Sequence, residues 1–115
     1  MVAAHIAFGQ RGEALAADWY RRHGYSVVDR NWRSPIGEID LIVRRGRLVV
    51  VAEVKARKSD AFGAPALAVG IAKQQRLRRL AAAWLVEHRV GRRLSVRFDV
   101  VAITGDQIDV YENAF

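Results

Sequence analysis

Three charged residues lie in two short segments that are otherwise apolar. Asp40 lies within Gly37-Glu38-Ile39-Asp40-Leu41-Ile42, and Glu53 and Lys55 follow the apolar run Leu48 to Ala52. Carboxylate oxygens are the ligands that Mg²⁺ and Mn²⁺ prefer. A cation held by such acids can polarise a phosphodiester and lower the pKa of an attacking water, and a neighbouring amine can offset charge on the phosphorus oxygens. These residue types therefore suit metal-assisted hydrolysis of a phosphodiester.

Both segments are predicted strands, joined by a tight turn at Arg45-Gly46. Because side chains alternate between the faces of a strand, Glu38 and Asp40 are expected on one face and Glu53 and Lys55 on one face. The intervening residues are expected on the opposite face of their strands: Ile39 and Leu41, and Ala52 and Val54. Antiparallel pairing would then place Asp40 opposite residues near Val51 to Glu53.

A simpler explanation exists for the same charges. Glu53 or Asp40 could form an ion pair with Lys55 on a solvent-facing side of the sheet, and half-exposed strands with alternating polar residues are common. Buried charges are costly unless they are paired or bind a metal. Spacing leaves both interpretations open, and the hydrolytic one rests on the convergence of three suitable charges from two strands.

The rest of the chain predicts one domain, residues 1–115, of the α/β class in an α+β arrangement. Helix and strand periodicity predicts the order α-β-β-β-α-β-β, with a mixed β-sheet flanked by helices. The predicted helices run from about Gly9 to His23, with Gly24 as a left-handed C-cap, and from about Leu67 to Arg89, ending before Gly91. The predicted strands are Tyr25–Arg33, Glu38–Arg44, Leu48–Lys55, Ser95–Thr104 and Gln107–Tyr111, and a mobile loop is expected over Ala56–Ala66.

Composition favours a polyanionic partner. The net charge is +7, and 16 of the 19 basic residues are Arg; a basic small domain is typical of nucleic-acid binding, although a GC-rich genome would also enrich Arg, Ala and Gly. The absence of Cys excludes disulfides and thiolate metal sites. No apolar run reaches the roughly 20 residues of a membrane helix, and no signal peptide is recognisable, so no membrane association and a cytoplasmic location are expected.

Five basic residues follow the candidate site or lie on the second helix. They could line a groove for a nucleic-acid backbone, although a solvated helix face is an equal explanation for those on the helix. The residues are Arg57, Lys58, Lys73, Arg76 and Arg79.

The ordered set of motifs resembles a known family. Glu13 in the first helix, Gly37 to Ile42, Val51-Ala52-Glu53-Val54-Lys55-Ala56-Arg57, Lys73 and Arg97-Phe98-Asp99-Val100-Val101 are similar to the YraN-like bacterial family. That family is similar to archaeal Holliday-junction resolvases and to the restriction-endonuclease-like superfamily with its Asp…Glu-x-Lys signature. The resemblance extends from about Ala7 to Ile103, and the departure is Ile39, where Pro commonly precedes the aspartate.

The resemblance implies a restriction-endonuclease-like fold and a metal-dependent endonuclease. Asp40 and Glu53 would bind Mg²⁺ or Mn²⁺, Lys55 would be the catalytic lysine, and Glu13 would complete the metal site, whereas on the residues alone Glu13 is a glutamate favoured by the helix dipole. Glu38 ranks below these acids, as an outer ligand or a partner of an arginine.

The expected substrate is DNA rather than RNA, in branched or junction form, and a homodimer is expected by analogy with the resolvases. Asp99 is expected to be structural, held by Arg97 or by a backbone N–H. Two alternatives remain: a nucleic-acid-binding protein that uses the same fold without cutting, and a structural protein whose acids and Lys55 form an ion-pair network.

Overall fold

The computed structural model describes residues 2–57, 69–88 and 93–115. Two helices and five strands follow one another in the predicted order. They are α1 (Val2–Arg22), β1 (Ser26–Ser34), β2 (Gly37–Arg45), β3 (Leu48–Arg57), α2 (Ile71–Glu87), β4 (Ser95–Thr104) and β5 (Gln107–Tyr111). No helix among these residues is both long enough and apolar enough to cross a bilayer.

The strands form one mixed sheet with the spatial order β1-β2-β3-β4-β5. Neighbouring strands are antiparallel except for β3 and β4, which pair in parallel along their whole length, from Leu48 opposite Ser95 to Arg57 opposite Thr104. A parallel pair needs a crossover connection, and α2 lies in that connection. The predicted α+β architecture is therefore confirmed.

Each helix covers one face of the sheet. On α1, Ala16, Ala17 and Tyr20 pack in one buried cluster with side chains of β2, β3 and β4, and on α2, Leu77, Leu80, Ala81 and Trp84 pack in a second cluster. Residues of β3 alternate between the two clusters, with Val49 and Val51 towards α2 and Val50 and Ala52 towards α1. This explains the unbroken apolar run of β3, which is buried on both faces as predicted.

The helix boundaries differ from the predicted ones at the N-termini. The first helix begins at Val2 instead of Gly9, because its Ala-rich start favours a helix that Gly9 does not interrupt. The second begins at Ile71 instead of Leu67, because Gly70 is extended, at φ −63° and ψ 157°. Gly24 has φ 88°, which confirms the predicted left-handed position after α1.

Strand β3 is longer than predicted and continues to Arg57, because β4 offers ladder partners up to that residue. Ala56 and Arg57 therefore belong to a strand and not to the expected loop. Helix α2 ends at Glu87, with His88 as its C-cap, and so stops short of the predicted end at Arg89. The remainder of that loop and the predicted stop at Gly91 lie outside the described residues. The last two strands have the predicted limits.

Strand β2 departs from regular alternation just where the candidate site begins. Leu41 packs in the cluster beneath α1, but Ile39 packs in the cluster beneath α2, so the prediction that these two share a face was wrong. The ladder between β2 and β3 ends at Leu41 opposite Ala52, and Asn31 in the neighbouring strand has φ 51°. Beyond this point β2 and β3 form an open fork, where groups from both faces of the sheet can meet.

Candidate active site

Asp40 lies at the point where the fork opens. Its Oδ2 accepts the backbone N–H of Val54 at 2.9 Å. The last ladder pair is Leu41 opposite Ala52, so continuing the register by one residue places Asp40 opposite Glu53. This position lies within the predicted range of Val51 to Glu53. The side-chain oxygen of Asp40 therefore replaces a backbone carbonyl as the acceptor for Val54. This hydrogen bond holds Asp40 beside β3 where the ladder between the two strands has ended.

Two further carboxylates approach Asp40 from different elements. One oxygen from each of Glu13, Glu38 and Asp40 lies within 4.8 Å of the others. Asn31 Nδ2 donates to Glu13 Oε2 at 2.8 Å, so the positive-φ residue of β1 also orients the glutamate from α1. Arg33 Nε lies 3.4 Å from Glu38 Oε2, which is the arginine partnership expected for Glu38. The open fork thus joins a carboxylate from α1 with two from β2.

Glu53 belongs to the same cavity but makes a different contact. Lys73 Nζ, from the first turn of α2, lies 2.5 Å from Glu53 Oε1. The cavity has a volume of about 250 Å³, and its lining consists of Gly37, Glu38, Asp40, Glu53, Lys73, Arg76, Leu77 and Leu80. Acids and bases therefore share one recess between β2, β3 and α2.

The electrostatics of this recess favour a cation. The pKa of Asp40 is raised from 3.8 to about 7 because the carboxyl is largely buried and because Glu53 lies nearby. Glu13 and Glu38 raise it further, and only the hydrogen bond from Val54 acts in the opposite direction. A divalent cation would relieve this repulsion, and the donor set, all carboxylate oxygens, fits Mg²⁺ or Mn²⁺. The carboxylates close enough together to hold it are Glu13, Glu38 and Asp40, and Glu53 lines the same recess.

Lys55 is partly buried on β3. It lies two residues beyond Glu53, so strand alternation places it on the same, α2-facing side as Val51 and Glu53. The residues that line the cavity, among those described, do not include Lys55.

The predicted nucleic-acid contacts are distributed unevenly around the recess. Lys73 and Arg76 line it, and Arg79 is exposed one turn further along α2. Arg57 is the last residue of β3, and Lys58 lies outside the described residues. The part of this group that the structure places at the recess therefore comes from the start of α2.

Comparison with known proteins identifies the family. Residues 12–103 match the model of Uncharacterised protein family UPF0102. The chain belongs to this family. A UPF0102 protein of Thermodesulfovibrio yellowstonii is 44% identical over 112 residues, covering 97% of this chain and 98% of the relative. UPF0102 proteins of Beutenbergia cavernae and Rhodococcus jostii are 53% and 50% identical, covering 87% and 89% of this chain and 84% and 86% of their own lengths.

The UPF0102 match confirms the resemblance to the YraN-like family. The matched segment contains all the acids of the recess, from Glu13 to Glu53, and also Lys55, Lys73 and Arg76. Family membership therefore covers the candidate site as well as the sheet that supports it.

Sequence reasoning underestimated two residues of this candidate site. Glu38 was ranked below the other acids, although its spacing of two residues from Asp40 was a usable signal for a shared face. Lys73 was expected to contact phosphate, and its pairing with Glu53 was not foreseen. No local pattern reveals that pairing, because it depends on how α2 docks against β3.

Asp99, in contrast, is structural, as expected. It is fully buried and accepts hydrogen bonds from the Arg97 guanidinium, the Tyr20 hydroxyl and the backbone N–H of Asn113. The hydrogen bonds to Asp99 raise the pKa of Arg97. Burial raises the pKa of Tyr20, and Asp99 raises it further. Asp99 thus ties β4 to α1 on the face away from the recess.

Proposed function

We propose that this UPF0102 chain is a metal-dependent endonuclease that hydrolyses phosphodiester bonds in DNA. The observation that carries the proposal is the convergence of Glu13, Glu38 and Asp40 at the fork, with Glu53 in the same recess. Like charges this close are unfavourable unless something positive joins them. The raised pKa of Asp40 reflects this unfavourable burial and repulsion of its negative charge.

Different residues of the recess have different proposed roles. Glu13, Glu38 and Asp40 form the group able to hold a cation, and Val54 and Asn31 orient two of these carboxylates. A bound Mg²⁺ or Mn²⁺ would polarise the phosphodiester and acidify a water molecule. Glu53, one strand away, is placed to add a ligand or to orient that water by accepting a hydrogen bond from it.

Lys55 is assigned to the reacting phosphate. Its position two residues beyond Glu53 on one face of β3 would let the ammonium offset the charge that develops on the phosphorus oxygens or orient the attacking water. Lys73 and Arg76 add positive charge to the rim of the recess, which would attract the polyanion towards the acids. The preference for DNA, for branched or junction structures and for a homodimer follows from the resemblance to Holliday-junction resolvases.

The test is cleavage of end-labelled duplex, flap and four-way-junction DNA, and of duplex RNA, in Mn²⁺ or Mg²⁺. We expect metal-dependent cutting that Lys55→Ala and Glu53→Gln each lower by about 100-fold or more, the usual scale for loss of a charged or proton-transferring group. Asp18→Asn removes an exposed acid of α1 outside the recess and should cut like the parent. Equal cutting by every variant would reveal a contaminating nuclease and refute the proposal.

One observation favours a second function, a nucleic-acid-binding protein that does not cut. Lys73 already neutralises Glu53, and Arg76 lines the same recess, so a phosphate could be held without a metal. This alternative predicts salt-sensitive binding that survives Asp40→Asn, with no turnover in any divalent metal. Cleavage that is abolished in Lys55→Ala would exclude it.

A further inference from the structure

Lys73 occupies an electrostatically unusual place. It is the third residue of α2, in the first turn, where the helix carries no acidic residue. A cation there adds to the partial positive charge of the helix N-terminus and is unfavourable by itself. Its contact with Glu53 offsets that cost, so the position is explained by the recess and not by helix stability.

Glu53 depends on the same contact. Its side chain is only 11% exposed, whereas that of Lys73 is 44% exposed. A buried carboxylate is strongly destabilising when its partner is removed. Among the described residues, Glu13, Glu38 and Asp40 form the close carboxylate group, and Glu53 is not a member of it. Lys73 therefore supplies a counter-charge to Glu53, whose own charge acts on Asp40 in the carboxylate group.

The exposure of Lys73 gives it a second possible partner. Its half-exposed side chain lines the recess together with Arg76. An ammonium group with three donors can bind a phosphate oxygen as readily as a carboxylate. A phosphodiester entering the recess from the side of α2 would meet this group.

We propose that Lys73 is a binding residue that exchanges Glu53 for a phosphate oxygen of the nucleic acid, so that cation binding and nucleic-acid binding favour one another. The inference rests on the proposed function, because it needs both ligands at this recess. Without a cation, Lys73 is held by Glu53 and is less available to phosphate. With a cation on the acids, Glu53 no longer needs Lys73. Linkage makes the effect reciprocal, since each ligand strengthens binding of the other by the same factor.

The first measurement is Mn²⁺ affinity by calorimetry for the parent chain and for Lys73→Gln, Lys73→Arg and Arg21→Gln. Removing the competing amine in Lys73→Gln should tighten Mn²⁺ binding by about 5-fold or more, the lower range of measured site-to-site couplings. Lys73→Arg keeps the charge and should resemble the parent. Arg21→Gln makes the same change in net charge at an exposed position two turns beyond Glu13 on α1, which controls for general electrostatics.

The second measurement is the affinity for duplex and four-way-junction DNA, with Mn²⁺ and with EDTA, in a Lys55→Ala background that prevents turnover. Mn²⁺ should strengthen binding by the Lys73 chain by about 5-fold or more, and Lys73→Gln should lose most of that gain while Lys73→Arg keeps it. Thermal melting establishes that each variant folds. In EDTA, Lys73→Gln should melt below the parent because Glu53 loses its partner, and Mn²⁺ should restore it.

The outcomes separate the inference from the proposed function. If the parent and Lys73→Gln bind Mn²⁺ equally well, the exchange is refuted and the nuclease proposal stands. If neither binds Mn²⁺, both are refuted. If Mn²⁺ binds Lys73→Gln but not the parent, or binds it more tightly while the metal-dependent gain in DNA affinity disappears, the exchange is supported.

Discussion

Asp40 combines a structural role with a proposed chemical one. It accepts the N–H of Val54 where the ladder between β2 and β3 ends, and it is one of the three close carboxylates. Burial and neighbouring acids raise its pKa to about 7. The hydrogen bond stabilises the fork, while the negative charge strains it unless a cation is present.

Replacement of the charge should reveal this strain as a pH dependence. Asp40→Asn keeps an oxygen for Val54 and removes the ionisable group. Because the folded pKa is higher than the ordinary 3.8, the contribution of Asp40 to stability is fully present below about pH 4 and is lost as the pH rises through about 7. Asp40→Asn should therefore be more stable than the parent at pH 8, by on the order of 2 kcal/mol after allowance for solvent screening, and should lack this advantage at pH 4.

The measurement is urea unfolding at both pH values in EDTA, with Asp18→Asn as the control for loss of an exposed acid. Mn²⁺ at pH 8 should stabilise the parent more than Asp40→Asn. An advantage of Asp40→Asn that is equal at pH 4 and pH 8 would show that the carboxyl is not destabilised by its charge.

At the scale of elements, local patterns predicted every helix and strand that the structure describes. The apolar stripe of α2 and the unbroken run Leu48 to Ala52 each specify burial directly, and both elements contribute to the core. The fork could not be predicted from alternation, because Ile39 and Leu41 pack on opposite faces. The contact of Lys73 with Glu53 spans 20 residues of sequence and depends on tertiary docking, which periodicity does not encode.

The first residue of β2, Gly37, lies against α2 and must be a glycine. Gly37 has φ 153°, and a Cβ there would lie 3.2 Å from Leu80 Cδ1 and 3.3 Å from Arg76 Cδ. Gly37→Ala should destabilise the chain by about 1–3 kcal/mol through backbone strain and should also push α2 away from the recess. We expect weaker Mn²⁺ binding, measured by calorimetry, together with a lower urea midpoint.

Gly105→Ala is the matched control for that variant. Gly105 has φ 61°, but a Cβ there would meet no atom within 4 Å, so it reports backbone strain without the contact to α2. Both variants should lose stability, and only Gly37→Ala should lose Mn²⁺ affinity. Equal Mn²⁺ binding in the two would show that the approach of α2 to Gly37 does not shape the recess.

At the scale of the whole molecule, a chain with an excess of positive charge contains a local concentration of acids. The net charge is +7, while four acids, Glu13 of α1, Glu38 and Asp40 of β2 and Glu53 of β3, gather at the fork and its recess. Composition predicted a polyanionic partner but not its place on the surface, because charge counts contain no geometry. The fold places Arg76 and Arg79 on α2, and Arg76 lines the recess.

The salt dependence of DNA binding should locate the surface that meets the phosphate backbone. For Arg76→Gln with Arg79→Gln, the slope of log affinity against log salt in EDTA should fall by about 1–2, one for each phosphate that an arginine no longer neutralises. Arg21→Gln with Arg22→Gln makes the same charge change at the exposed end of α1 and should leave the slope nearly unchanged. Equal slopes for the two double variants would place the nucleic acid elsewhere.

The hydrogen bond between Val54 and Asp40 also constrains how this protein can evolve. Selection for a folded chain and selection for the proposed reaction both act on the carboxyl of Asp40, because its oxygen accepts the N–H of Val54 where β2 and β3 separate. A descendant that lost the proposed reaction would still need an oxygen at position 40 for the amide of Val54. Asparagine would keep that oxygen. An apolar residue at position 40 would leave the N–H of Val54 without this acceptor and lower the stability of the fold, whether or not the activity remained.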